Sequence, residues 1–274
     1  MPDPSVLLPM LALLLVIGAF AGLIAGLLGV GGGIVLVPCY FFMFIHLGYD
    51  TTQLMQICLA TSLATIVVTS LRSVLAHHRR GAVDWAILRG WAPWIAAGAL
   101  AGLFAASGLR SDTLVLIFVV LGLAVGAFLG LGRPHWRLGK SMPGGLRRAV
   151  MAPAMGFLSV LMGIGGGSFG VPVMTLYGVP IHRAVATSAG FGLIIAAPSV
   201  IGFLMIAAPE AGRPPFTIGH VNLPAFAVTV SMTLLTAPLG ARLAHMIDAA
   251  RLRRIFAVFI VLMALNMLRR VIWG

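Results

Sequence analysis

The chain has 274 residues, of which 60% are hydrophobic and only 9% charged, with a mean hydropathy of +1.09. A soluble globular domain carries about 25% charged residues, so an ordinary soluble enzyme or binding domain is excluded and an integral membrane protein is indicated. The net charge of +12 does not point to nucleic acid, because the basic residues cluster between apolar segments, which is the bias of cytoplasmic loops.

Apolar runs such as Leu114 to Leu131 are unbroken and far longer than the roughly 10 alternating residues of a membrane β-strand, so the spans are helices. The start, Met1-Pro2-Asp3-Pro4, lacks the basic residues of a secretory signal, and the first apolar stretch is read as retained despite a cleavage-like Ala19-Phe20-Ala21. It runs from Ser5 to about Leu28 and reaches Gly29-Val30-Gly31-Gly32-Gly33. A short apolar piece, Ile34 to His46, follows. A polar turn with Asp50 leads to a helix over Leu54 to Ala76 that carries Ala60-Thr61-Ser62. After the basic loop around Arg79 and Arg80, helices are expected over Trp85 to Ser107 and Thr113 to Leu131. Cys39 and Cys58 lack metal-ligand spacing and read as small packing residues.

The longest basic loop, Gly132 to Arg148, divides the chain into a first repeat (1–131), a linker (132–148) and a second repeat (149–274). The second repeat follows the same plan. Ala149 to Ile164 leads to Gly163-Ile164-Gly165-Gly166-Gly167-Ser168, Phe169 to Tyr177 is the short piece, and a helix over Ala184 to Ala208 carries Ala186-Thr187-Ser188. After a loop with Glu210 and Arg213, helices are expected over Val221 to His245 and Leu252 to Ile272. The two Gly motifs lie 134 positions apart and each is followed by a Pro, Pro38 or Pro172. An offset of 138 pairs Gly81 with Gly219, Gly102 with Gly240, Leu114 with Leu252 and Phe118 with Phe256, which is evidence of internal duplication.

Charge sets the expected topology. If each half is a Gly-broken hairpin followed by three crossings, 14 of the 18 basic residues fall inside, with Arg110, Arg213, Arg269 and Arg270 outside; an even number of crossings per half misplaces six. The odd-parity arrangement obeys the positive-inside rule better. It makes the fold an all-α membrane protein of two inverted-topology repeats, in which equivalent loops carry opposite charge bias.

Adjacent glycines weaken a helix by roughly 1 kcal/mol each, and backbone freed at membrane depth must be buried in protein or line a cavity. Paired breaks in the two halves are a pointer to a transporter's central site. The helix starts at Ile34 and Ser168 offer N–H groups to an anion, which makes Gly31, Gly32, Gly33, Ile34, Gly165, Gly166, Gly167 and Ser168 the candidate binding residues. Thr61, Ser62, Thr187 and Ser188 add hydroxyls from both repeats, with back-bonding to the preceding turn as the alternative. All six acids, Asp3, Asp50, Asp84, Asp112, Glu210 and Asp248, sit in loops or at helix ends, which favours an anionic solute over a carboxylate proton relay. His46 and His220 read as loop residues, a proton-linked role being the alternative. No P-loop ending, dinucleotide fingerprint or hydrolase constellation is present, so no enzyme and no cofactor are expected.

The duplicated Gly-aliphatic-Gly-Gly-Gly with Pro, the paired Ala-Thr-Ser, and Gly240-Ala241-Arg242-Leu243 followed by Arg254 and Phe256 resemble the TauE/SafE, or sulfite exporter, family over nearly the whole chain. Arg72 and Pro198 occupy corresponding places, so the repeats are not chemically equivalent there. The resemblance implies transport of small sulfur oxyanions or organosulfonates, such as sulfite, thiosulfate or sulfoacetate. The expectation is a multi-pass secondary transporter of the bacterial inner membrane that works by alternating access. Coupling to a proton or sodium ion and assembly as a homodimer are compatible with it. An anion channel and a non-transporting sensor or assembly subunit are the alternatives.

Overall fold

The computed structural model describes residues 4–28, 32–49, 51–131, 137–244 and 249–273. Within them lie ten helices: α1 (Pro4–Leu28), α2 (Gly33–His46), α3 (Leu54–Arg79), α4 (Trp85–Gly108), α5 (Ser111–Leu131), α6 (Gly145–Leu161), α7 (Gly167–Leu176), α8 (Ile181–Met205), α9 (Leu223–Ala244) and α10 (Ala249–Trp273). One two-stranded antiparallel hairpin, β1 (Thr217–Ile218) and β2 (Val221–Asn222), precedes α9. Five of the described helices, α3, α4, α5, α8 and the Leu223–Gly240 stretch of α9, are long and apolar enough to cross a membrane. The chain is a multi-pass, all-α membrane protein.

The elements fall close to where apolar runs and breaks place them. α6 begins at Gly145, four residues earlier than its apolar run, because Arg147 and Arg148 occupy its first turns; Arg148 lies against Gly90 of α4. α4 is started by Asp84, whose carboxylate accepts from the N–H groups of Ala86 and Ile87, each at 3.1 Å. This cap satisfies two donors that the helix itself cannot pair. α3 is the central helix: 78% of its most apolar window is buried, against 22–44% for the other four spanning helices.

Contacts at glycines give the directions of the helices. Gly18 of α1 lies against Thr229 and Met232 of α9, and Gly22 lies against Thr233 and Thr236. Both numbers rise together, so these helices run parallel. Gly98 and Gly102 of α4 meet Pro153 and Phe157 of α6 in the same sense. By contrast, Gly122 of α5 faces Ile260 and Ala264 of α10, Gly126 faces Ala257 and Val261, and Gly130 faces Ala257; this pair is antiparallel. Absent side chains let the backbones approach, the usual device of close helix pairs in lipid.

These contacts are reciprocal between the halves. Gly22 touches Thr233, and Gly156, its equivalent at the motif offset of 134, touches Ile95, the residue equivalent to Thr233 at the offset of 138. The first helix of each half of the chain therefore packs on a helix from the other half, so the two halves interlock.

Candidate functional site

Both Gly runs break a helix. α1 ends at Leu28 and α2 starts at Gly33, after Gly32 in the left-handed region at φ 72°; Gly29 to Gly31, including the candidate Gly31, lie outside the described residues. In the second run α6 ends at Leu161 and Gly163 takes φ 61°. The N–H of Ile164 donates to the Ser159 carbonyl and the N–H of Gly163 to the Val160 carbonyl, both at 2.9 Å, which is the paired bonding of a Schellman C-cap. α2 has 14 residues and α7 has 10. At 1.5 Å per residue they reach about 21 and 15 Å, short of the ~30 Å hydrocarbon core.

The two breaks meet. A Cβ at Gly33 would stand 2.8 Å from the Gly163 carbonyl oxygen and 3.0 Å from Ile164 Cα; one at Gly163 would stand 2.7 Å from Val37 of α2 and 3.0 Å from Leu59 Cα of α3. Gly165 lies against Ile66 of α3 and Gly192 of α8, and Gly166 against Phe191 and the backbone of Ser188. Gly32, Gly33 and Ile34, and every residue from Leu161 to Ser168, are buried. Freed backbone is thus held inside the protein, as membrane depth demands.

Ser168, in the first turn of α7, is 7% exposed and its Oγ has no hydrogen-bond partner among the described residues. A buried hydroxyl left unpaired costs about 1–3 kcal/mol, so the helix start carries an unused donor beside its unpaired N–H groups.

The Ala-Thr-Ser hydroxyls are engaged in a patterned way. Thr61 Oγ1 accepts the N–H of Asn222 at 3.0 Å, and Thr187 Oγ1 accepts the N–H of Asp84 at 2.9 Å. Asp84 and Asn222 are equivalent at the offset of 138 and each caps the helix that follows, Asn222 by accepting from the N–H of Ala225 at 3.0 Å. Each threonine therefore anchors a helix start of the other half and keeps its own proton. The serines differ: Ser62 donates across the halves to the Gly163 carbonyl at 2.7 Å, while Ser188 donates back along its own helix to Val185 at 2.9 Å.

Three features were not read from the sequence. The β1–β2 hairpin carries buried His220, whose Nε2 stands 2.6 Å from Gln53 Oε1 while Nδ1 has no partner among the described residues. Burial lowers the pKa of this imidazole, against the opposing effect of the Phe203 and Ile206 backbone. Tyr40 of α2, Thr65 of α3 and Thr229 of α9 are buried hydroxyls within otherwise apolar helices. A cavity of about 1200 Å³ between α1, α2 and α10 has Cys39, Phe42 and Met263 in its wall and His46, Arg269 and Arg270 among its lining groups. In the sequence those two arginines stood only as two of the four basic residues, with Arg110 and Arg213, that the expected topology leaves outside, and nothing there marked a cavity.

Among the described residues no cluster of His, Cys, Asp or Glu is arranged to hold a metal. Asp84, Asp112 and Glu210 stand outside the helix interiors, Asp112 in the first turn of α5; Asp3, Asp50 and Asp248 lie outside the described residues.

A family model described as Sulfite exporter TauE/SafE matches residues 14–267. A "probable membrane transporter protein" of Haemophilus influenzae is 31% identical over 258 residues, which cover 93% of this chain and 97% of that one. A protein of Methanocaldococcus jannaschii with the same description is 24% identical over 261 residues, covering 94% and 96%. One from Bacillus subtilis is 31% identical over 201 residues, covering 64% and 71%. No solved structure matches the chain.

Proposed function

This chain belongs to the sulfite exporter TauE/SafE family, and on that premise we propose that it is a secondary transporter moving a small sulfur-containing anion across the bacterial inner membrane by alternating access. The observation that carries the proposal is the meeting of two broken helices, buried and adjacent, one of which begins with the unpaired hydroxyl of Ser168. Helix N-termini at membrane depth attract an anion without a cationic side chain. The solute is held by Gly31 to Ile34 and by Gly165 to Ser168. Thr61 and Thr187 supply their unspent protons, and Ser62 holds the Gly163 carbonyl at the second break, with Ser188 beside it in α8.

The repeats, 1–131 and 149–274 about the linker 132–148, are of inverted topology in this reading. Support comes from α5 and α10, equivalent by offset and antiparallel in contact, and from the opposite charge bias of equivalent loops. Interlocked halves with opposite sense give two related states in which the same site faces either side. The inner side carries the basic loops, and no covalent chemistry or cofactor enters.

The test is flux in liposomes holding the purified chain, with labelled sulfite, thiosulfate and a sulfonate under an imposed proton or sodium gradient. At least one anion is expected to move saturably and against its own gradient, and Ser168→Ala to lower its apparent affinity about tenfold, the loss of one hydrogen bond to a charge. If all three anions stay put, the substrate class is wrong. Flux that neither saturates nor runs uphill identifies a channel instead.

A further inference from the structure

The charged groups of the cavity beside α2 are gathered at one end of it. Deeper in, its walls are apolar: Leu13 and Ile17 of α1, Phe42 of α2 and Met263 of α10. At the other end stand His46, the last residue of α2, and Arg269, Arg270 and Trp273 from the end of α10. At 1.5 Å per residue the lining extends about 10 Å along α2, from Cys39 to His46, and about 15 Å along α10, from Met263 to Trp273. One turn beyond Ile17 and Met263, Phe20 and Phe259 bring α1 and α10 together with ring centroids 5.5 Å apart, and the recess lies on the arginine side of that contact. Arginine and tryptophan at the end of a membrane helix mark headgroup level, so the recess descends from that level into the hydrocarbon.

Its size and chemistry do not suit a small inorganic anion. At about 1200 Å³ it exceeds the roughly 300–1,000 Å³ of a site for a drug-sized molecule, and its apolar walls would strip water from an oxyanion without offering it a partner. The positive end needs an anion nonetheless. No carboxylate is among the lining groups, and the ion pair found among the described residues, Arg110 with Asp112, involves neither Arg269 nor Arg270. Leu15 and Val16 of α1 and Leu262 and Leu265 of α10 are exposed on the flanks. These are lipid-facing surfaces, and they give the bilayer a sideways entry to the recess.

We infer that this recess is a binding site for one anionic phospholipid of the surrounding bilayer. Arg269 and Arg270 hold its phosphate, for which the guanidinium fork is matched, Trp273 packs at headgroup level, and an acyl chain lies along Ile17, Phe42 and Met263. The lipid braces the back of α2, the helix that starts at Gly33 where the two breaks meet. In a purely zwitterionic bilayer the two guanidiniums stay free to draw a soluble anion; an anionic lipid takes that place.

The experiment titrates the purified full chain in detergent with phosphatidylglycerol or with phosphatidylcholine of the same acyl chains, counting bound lipid by native mass spectrometry and following the melting temperature. Phosphatidylglycerol is expected to bind as a single lipid, at least about tenfold more tightly than phosphatidylcholine, and to raise the melting temperature. Arg269→Gln with Arg270→Gln, both at exposed positions, should weaken phosphatidylglycerol about thirtyfold, about fivefold for each charge, and leave phosphatidylcholine within about twofold; the Arg269→Lys, Arg270→Lys pair should retain most of the preference. Ile17→Trp, which fills the recess and keeps both arginines, should weaken both lipids. Equal binding of the two lipids, or a phosphatidylglycerol affinity that ignores the glutamine pair, overturns the site. Displacement of phosphatidylglycerol by an equal concentration of glycerol 3-phosphate would make it a site for soluble phosphates instead. A chain that takes up neither lipid, runs as a dimer and loses that state on Ile17→Trp would put a second copy of the protein in the recess. Neither readout uses flux, so the result is independent of the transport reading.

Discussion

Ser62 of α3 donates its hydroxyl proton to the carbonyl of Gly163, 2.7 Å away and 101 positions later in the chain. Both groups are buried, so Ser62→Ala leaves a carbonyl without that partner where no solvent replaces it, at a cost of about 1–3 kcal/mol. The melting temperature of the purified protein should fall by several degrees. Ser188→Ala is the internal comparison. Its hydroxyl bonds only Val185 on its own helix, whose carbonyl keeps its helical partner, so its melting temperature should stay within a degree or so of wild type. Equal effects would mean that the cross-half bond is not what distinguishes these serines.

Thr61→Val and Thr187→Val remove the acceptors of the Asn222 and Asp84 N–H groups while keeping side-chain shape. Each is expected to cost about 1–3 kcal/mol, read as a lowered denaturation midpoint. The two sites share no partner, so the double variant should lose the sum. A double variant no worse than either single one would show that the anchors act as one unit.

Element boundaries were legible because apolar runs end at Gly, Pro or charge: the breaks after Leu28 and Leu161 fall where the triple glycines put them. The hairpin was not, since strands of two residues beside Pro214 and Pro215 carry no alternation to read. The Ala-Thr-Ser repeats announced themselves, but the partners of Thr61, Ser62 and Thr187 lie 101 to 161 positions away, and no local pattern encodes such a pairing.

Gly163 and Gly48 separate the two ways a glycine is used. Both have positive φ, 61° and 81°, but a Cβ at Gly163 meets Val37 at 2.7 Å whereas one at Gly48 meets nothing within 4 Å. Gly48→Ala should cost only the left-handed backbone penalty, about 1–2 kcal/mol. Gly163→Ala adds overpacking of about 1–3 kcal/mol and presses the two breaks apart, so liposome flux should fall far more than for Gly48→Ala. Comparable flux in the two variants would detach the meeting of the breaks from transport.

Arg269 and Arg270 line the cavity beside α2 together with His46. Two positive charges at a low-dielectric recess raise the local concentration of an anion, and salt screens that effect over about 10 Å at 0.1 M. Arg269→Gln with Arg270→Gln should raise apparent KM severalfold in low salt and leave kcat unchanged, the difference shrinking as salt is added. A KM shift that ignores salt would assign these arginines to packing.

His220 gives a pH dependence with a definite sign. Burial holds its pKa below the ordinary 6.5, and with Gln53 Oε1 as acceptor at 2.6 Å the proton of the neutral ring sits on Nε2. Above 6.5 both folded and unfolded chains hold a neutral ring and the group adds nothing to pH dependence. As pH falls through 6.5 the unfolded chain takes up a proton that the folded one refuses, so stability declines, with a limiting slope of about 1.4 kcal/mol per pH unit. His220→Asn cannot titrate. Denaturation midpoints of the wild type measured from about pH 7.5 down to about 5.5 should therefore drop more steeply than those of the variant. Parallel curves would mean that the folded protein accepts the proton at this site and that the ring is free to work as a proton-linked group.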